Sequence, residues 1–271
     1  MPRLLRNGIV RVLLVVLALV LLTALVAFLA REPIRQYLAD VTGEEDPAYQ
    51  YRALGFLALS LLQPPVETAD FAPVRYNDYS PFGVNTFFEQ EVEESKIRQS
   101  MQMLHDAGFK WIRQEFPWED IERPGKGDFT DVKYNHSTWD KYDLIVRLAR
   151  EYGLQVIVRL DHPPAWTRHD GRARGDFAPP DNFDDYGDFV ATVVSRFRGQ
   201  VRFYQLWNEP NIYPEWGEQP VNAGDFTHLL RVGYTRAKQA DPQVVIISAG
   251  LAQTTEEGPD NLNDVTFLEQ M

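Results

Sequence analysis

The apolar run Val201-Arg202-Phe203-Tyr204-Gln205-Leu206 leads directly into Trp207-Asn208-Glu209-Pro210-Asn211. A short run of this kind reads as a strand, and a carboxylate at the C-terminal mouth of a parallel strand is where barrel enzymes place reacting groups. Pro210 biases Glu209 toward extended backbone. Trp207 beside it would partly desolvate the carboxyl, which suits a general acid. Asn208 adds a neutral hydrogen-bonding group. Taken alone, Asn-Glu-Pro is common, and a Glu209 that merely caps the next helix is the plain alternative.

Other polar and aromatic residues gather at strand ends of the same type. Arg113 and Glu115, in Trp111-Ile112-Arg113-Gln114-Glu115-Phe116-Pro117-Trp118, share one strand face because side chains alternate, which gives Glu115 the role of an internal ion pair. Asp161 and His162 follow the run Gln155 to Leu160 and offer hydrogen bonds to sugar hydroxyls, although a structural histidine is the alternative for His162. Trp118, Trp166, Tyr213 and Trp216 fall just after strand ends, where aromatic rings form platforms for sugar rings; core packing is the alternative for each. The other four histidines, His105, His136, His169 and His228, show no metal-ligand spacing, so no metal or other cofactor is assigned. With no cysteine in the chain, thiolate nucleophiles and Cys-ligated zinc are excluded. No Gly-x-Ser-x-Gly elbow is present.

The elements that must position these groups alternate. Strands are predicted at Phe82 to Phe88, Trp111 to Phe116, Gln155 to Leu160, Val201 to Leu206 and Val244 to Ser248. Helices are predicted at about Glu94 to Ala107, Thr138 to Tyr152, Asp184 to Phe197 and Ala223 to Ala240, and another begins at Asn263. Repeated βα units of this length build a parallel sheet. A closed eight-stranded barrel takes about 250 residues, so this chain is expected to hold only the first five βα units of one; a smaller open α/β domain is the alternative.

Ahead of this domain, Val12 to Ala30 is apolar except for Thr23 and long enough to cross a bilayer as a helix. Arg3, Arg6 and Arg11 precede it, which places the N-terminus in the cytoplasm and the rest outside. The expected arrangement is a cytoplasmic N-terminus and transmembrane signal anchor over 1–31, a juxtamembrane connector over 32–80 and the barrel over 81–271. The protein would then be single-pass in the cell membrane with its catalytic domain extracytoplasmic; a cleaved signal peptide is the competing reading. A net charge of −12 argues against nucleic acid or anionic lipid as a main partner and suits a neutral carbohydrate.

From Phe82 to Gly250 these motifs resemble the clan A glycoside hydrolases, retaining enzymes on (β/α)8 barrels, especially the cellulase-like and xylosidase-like members. The resemblance is carried by Trp207-Asn208-Glu209-Pro210-Asn211, by Arg113 and Trp118, and less specifically by Leu160-Asp161-His162-Pro163-Pro164-Ala165-Trp166 and Ile246-Ile247-Ser248-Ala249-Gly250. It implies that Glu209 is the acid/base of O-glycoside hydrolysis, that Asn208 binds the sugar hydroxyl next to the anomeric carbon, and that Arg113 orients the nucleophile. Asp161, His162, Trp118, Trp166 and Trp216 complete the expected substrate site. Retention needs a second carboxyl about 5 to 5.5 Å away. The family supplies it as a glutamate ending strand seven, which here would lie beyond residue 271. The alternative function is a noncatalytic carbohydrate-binding or scaffold protein on the same barrel.

Overall fold

The computed structural model describes residues 16, 17, 19, 21, 22, 28, 30–62 and 81–271. The chain divides into two compact units, Met1–Pro73 and Val74–Met271. The run at 12–30, expected to span a membrane, lies mostly outside the described residues. Among those that are described, no helix is long and apolar enough to cross a membrane. In the first unit, residues 30–42 are helical and helix α1 covers Pro47–Ser60. Asp46 caps α1, accepting from the Ala48 N–H at 2.7 Å, and Pro47 sits in the first turn, where its missing N–H costs nothing. These two residues set where the helix starts, inside the stretch expected to be a connector.

In the second unit a parallel sheet is built from β1 (Gly83–Thr86), β2 (Trp111–Glu115), β5 (Gln155–Leu160), β6 (Phe203–Leu206) and β7 (Val245–Ser248), paired in that order. The helices between them are α2 (Glu94–Asp106), α4 (Trp139–Glu151), α5 (Phe183–Arg196) and α6 (Ala223–Ala240), and α7 (Asp264–Gln270) follows β7. Each strand therefore pairs with the next one along the chain, apart from an excursion after β2. That excursion holds the short helix α3 (Trp118–Ile121) and a hairpin of β3 (Thr130–Asp131) and β4 (His136–Ser137). It was not foreseen. Two-residue strands carry no periodicity for a sequence to show.

The α5, α6 and α7 starts are set by asparagines. Asn182, Asn222 and Asn263 accept from backbone N–H groups of Asp184, Asp225, and Val265 and Thr266 respectively, each satisfying donors that the first helical turn leaves unpaired. One face of the sheet packs on the helices. Ile112, Phe116, Val156, Val158, Leu160, Tyr204 and Leu206 are all buried on this side, and each such side chain contributes on the order of 1.5–3 kcal/mol. The packing is close at α6, where a Cβ on Gly233 would stand 2.8 Å from Cδ1 of Leu206. A side chain at Gly233 would have to displace Leu206 at the end of β6, the strand that leads into the Asn208-Glu209 motif.

Candidate active site

Side chains on the other sheet face, together with those just past the strand ends, form a polar cluster. Register places Glu115 beside Arg159 and Arg159 beside Gln205 on neighbouring strands. Arg159 pairs with Glu115 through one terminal nitrogen and with Asp161 through Nε at 2.9 Å. The His162 Nδ1 lies 2.5 Å from Glu115 and 3.2 Å from Asp161. Glu115 is thus an internal ion pair, as its strand position implied, with its partner on the next strand. Oε1 of Glu115 and Nε of Arg159 are buried and meet their partners at ion-pair distance without hydrogen-bond alignment.

Burial opposes charge on His162, but Asp161 and Glu115 outweigh it and push the imidazole up to about 10. Two carboxylates then face two cations, and the group is electrically balanced. Glu115, Asp161 and His162 do bring ligand-capable atoms within 4.8 Å of one another. Arg159 stands among them, however, and already neutralises both carboxylates, which makes this donor set poorly suited to a metal ion.

At the end of β6 the arrangement differs. Arg113 donates through Nε to Oε1 of Gln205 and through Nη2 to Oδ1 of Asn208, both at 2.8 Å, and more weakly through Nη1 to Oδ1 of Asn85 at 3.4 Å. All three acceptors are amides, so the guanidinium is oriented without being neutralised by a bonded carboxylate. Burial and the nearby Arg159 hold the Arg113 pKa below its ordinary value, although it remains a cation at physiological pH. Asn208 in turn donates from Nδ2 to Oε2 of Glu215 at 3.2 Å. Burial, the largest influence, raises the Glu215 carboxyl above its ordinary range while the Asn208 bond pulls the other way.

Glu209 is half-buried beside this group. Its backbone has φ +40, and Trp207 and His162 have φ +71 and +53. The extended geometry that Pro210 favours for its predecessor is therefore not adopted at Glu209. Left-handed backbone at a non-glycine residue costs on the order of 1–3 kcal/mol and persists where surrounding bonds enforce it. Here Trp207 N–H donates to Leu160 O and Glu209 N–H to Gly250 O, both at 3.0 Å, and Glu119 N–H donates to His162 O at 2.8 Å. Asn211, wholly buried, locks the motif to the segment after β7. Its amide donates to the carbonyls of Ala252 and Leu262 at 2.8 and 3.0 Å and accepts from Ala252 N–H at 2.9 Å.

The aromatic residues separate into two groups. Trp118 and Trp216 are 0% and 1% exposed, so neither offers a face on which a sugar can stack as the structure stands. Trp118 stacks on Phe189 at 5.0 Å and donates to Glu122 at 2.6 Å. Trp216 packs edge-on against Trp207 at 5.2 Å and Phe226 at 6.0 Å. Trp166 is half-buried and lines a cavity of about 390 Å³ with Glu119, Arg123 and Arg172, and Tyr213 is 49% exposed. Sequence reasoning did not single out Arg159, Gln205, Asn85 or Glu215. Strand alternation marks Gln205 and Arg159 once register is known, whereas Glu215 carries no sequence signal beyond its closeness to the motif.

With this geometry in view, the chain matches the family model Cellulase (glycosyl hydrolase family 5) over residues 72–263. It is 24% identical over 115 residues to Beta-glucosidase-like SFR2, chloroplastic, of Oryza sativa subsp. japonica, a match covering 42% of this chain and 17% of that protein. It is 23% identical over 116 residues to the 6-phospho-beta-glucosidase of Clostridium longisporum, covering 43% and 24%. The chain thus spans less than a quarter of the length of these curated relatives. Among solved structures, the GH5_18 protein of Streptomyces cattleya in complex with GlcNAc superposes with a TM-score of 0.53 at 18% identity, covering 68% of this chain and 48% of that one, which is a likeness of fold. By the extent of the family match, the chain belongs to glycosyl hydrolase family 5, the cellulase family.

Proposed function

We propose that the protein hydrolyses O-glycosidic bonds in an oligo- or polysaccharide by a retaining mechanism with Glu209 as acid/base. The observation that carries this reading is the bond of Arg113 to Asn208, across 95 positions of sequence, which draws the motif residues of two strands into one cluster around Glu209. Glu209 protonates the leaving oxygen and later takes a proton from the water that replaces it. Asn208 holds the hydroxyl next to the anomeric carbon. Arg113, restrained only by amides, has its charge available for the nucleophilic carboxylate, and charge-assisted hydrogen bonds of that kind keep such a group ionised and aimed. Retention also needs a nucleophilic carboxyl about 5 to 5.5 Å from that of Glu209, and this is the group Arg113 would orient. Trp166 and Tyr213 are aromatic surfaces open to substrate.

Leaving-group dependence tests the assignment. In the complete protein, Glu209→Gln should abolish turnover of glycosides with poor leaving groups and largely spare the first step with activated aryl glycosides, which need no proton. We also infer that the run Val12 to Ala30 anchors the protein with its domain outside the cell, a reading supported by the sequence alone. Protease added to intact cells would then digest the domain. A soluble product beginning near residue 31 would instead mean a cleaved leader.

A further inference from the structure

We propose that Glu215 is a positioning residue: it fixes the amide of Asn208 so that one N–H remains directed at the sugar hydroxyl next to the anomeric carbon. The proposal rests on the role of Asn208 given above and deepens it.

An asparagine amide can be seated either way round, and only the groups that meet it decide which end faces a ligand. Arg113 can only donate, so it takes Oδ1 of Asn208. A carboxylate can only accept, so Glu215 takes Nδ2. The two residues set the same orientation from opposite ends. One of the two N–H groups on Nδ2 is used by Glu215, and among the described residues the second meets no acceptor and is left to donate. A hydroxyl bound there accepts from Asn208, and Glu215 acts on it only through that amide.

The backbone that carries Glu215 is held for this purpose. Its carbonyl accepts from the indole N–H of Trp207 at 2.8 Å and its N–H donates to Ile212 O at 2.9 Å. The next residue, Trp216, is buried between Trp207 and Phe226. Then comes Gly217 at φ +84, where a Cβ would stand 2.7 Å from the Cβ of Ala178. Trp207 thus fixes both the strand end bearing Asn208 and the loop bearing Glu215, which sets the separation of the two side chains. The raised pKa of the Glu215 carboxyl is in keeping with a group drawn out of water to serve one neighbour.

The test uses the complete protein and the 4-nitrophenyl β-glycoside it cleaves fastest among glucoside, mannoside, xyloside and galactoside, together with the 2-deoxy counterpart of that glycoside. Glu215→Ala should lower kcat/KM on the parent by about tenfold or more, as expected for losing a hydrogen bond to a charged group. On the 2-deoxy substrate the loss should be less than about twofold. Glu215→Gln, whose Oε1 can still accept from Asn208, should recover most of the parent activity. In an Asn208→Ala background, adding Glu215→Ala should cost less than about twofold. Equal losses on the two substrates, or additive losses in the double variant, would overturn the proposal. The same holds for a Glu215→Gln protein as impaired as Glu215→Ala. A protein that cleaves neither a glycoside of the panel nor the corresponding β-linked oligo- and polysaccharides fails the glycosidase reading itself and Glu215 falls with it. If Glu209→Gln lacks the leaving-group signature while the 2-deoxy comparison holds, only the acid/base assignment is lost.

Discussion

Two clusters of charge lie side by side at the strand ends, and they are built on opposite plans. Around β2 and β5, Glu115, Asp161, Arg159 and a protonated His162 neutralise one another at ion-pair distance. Around β6, among the described residues, Arg113 is held by amides and Glu209 and Glu215 have no bonded cation. The first cluster spends its charge internally and serves as a frame. The second leaves a cation and the Glu209 carboxylate available to something from outside, and such groups at strand ends are where catalytic chemistry is found.

The comparison breaks most readily at Arg159, whose side chain is 14% exposed between carboxylates that are 12% and 4% exposed. Arg159→Met should remove about 3–5 kcal/mol of unfolding free energy by leaving buried carboxylates unpaired, measurable by denaturant unfolding near neutral pH. An unchanged midpoint would mean that the balanced cluster is not the frame. Arg113→Met should do the reverse. Kcat/KM should fall about a hundredfold or more while stability falls by only about 1–2 kcal/mol; a loss of stability equal to that of Arg159→Met, with activity retained, would erase the distinction between the clusters.

Much of the fold could be read before the structure. The β5 and α6 limits agree to the residue, and the other main elements agree within two or three, because apolar period and glycine stops are local signals. The site was legible in part. Glu209, Asn208, Arg113, Asp161 and His162 were identifiable as strand-end residues, but their bonding depends on register between β2, β5 and β6, a non-local property. Trp118 and Trp216 were misplaced for a related reason. A tryptophan one turn past a strand can stay on the loop face or fold back into the core, and the sequence is the same either way. Glu215 was missed because its position is set by the burial of Trp216, not by any spacing rule.

A smaller effect sharpens the comparison through pH. The native state holds the His162 proton up to about pH 10, against 6.5 for an unperturbed imidazole. Its contribution to stability is therefore complete below about pH 6.5, where both states are protonated. It declines as pH rises toward 10, because the folded protein binds more protons than the unfolded chain across that window. His162→Gln should flatten the fall in unfolding free energy between those limits. Identical slopes in the two proteins would show that His162 is neutral in the native state.

The central claim is that Glu209 is the acid/base, and azide tests it most directly. With an activated aryl glycoside, Glu209→Gln in the complete protein should accumulate glycosyl-enzyme, because no base activates water for the second step. Added azide, which needs no base, should restore turnover and yield a glycosyl azide of retained configuration. Equal loss of activity on activated and unactivated substrates, with no rescue by azide, would contradict the account.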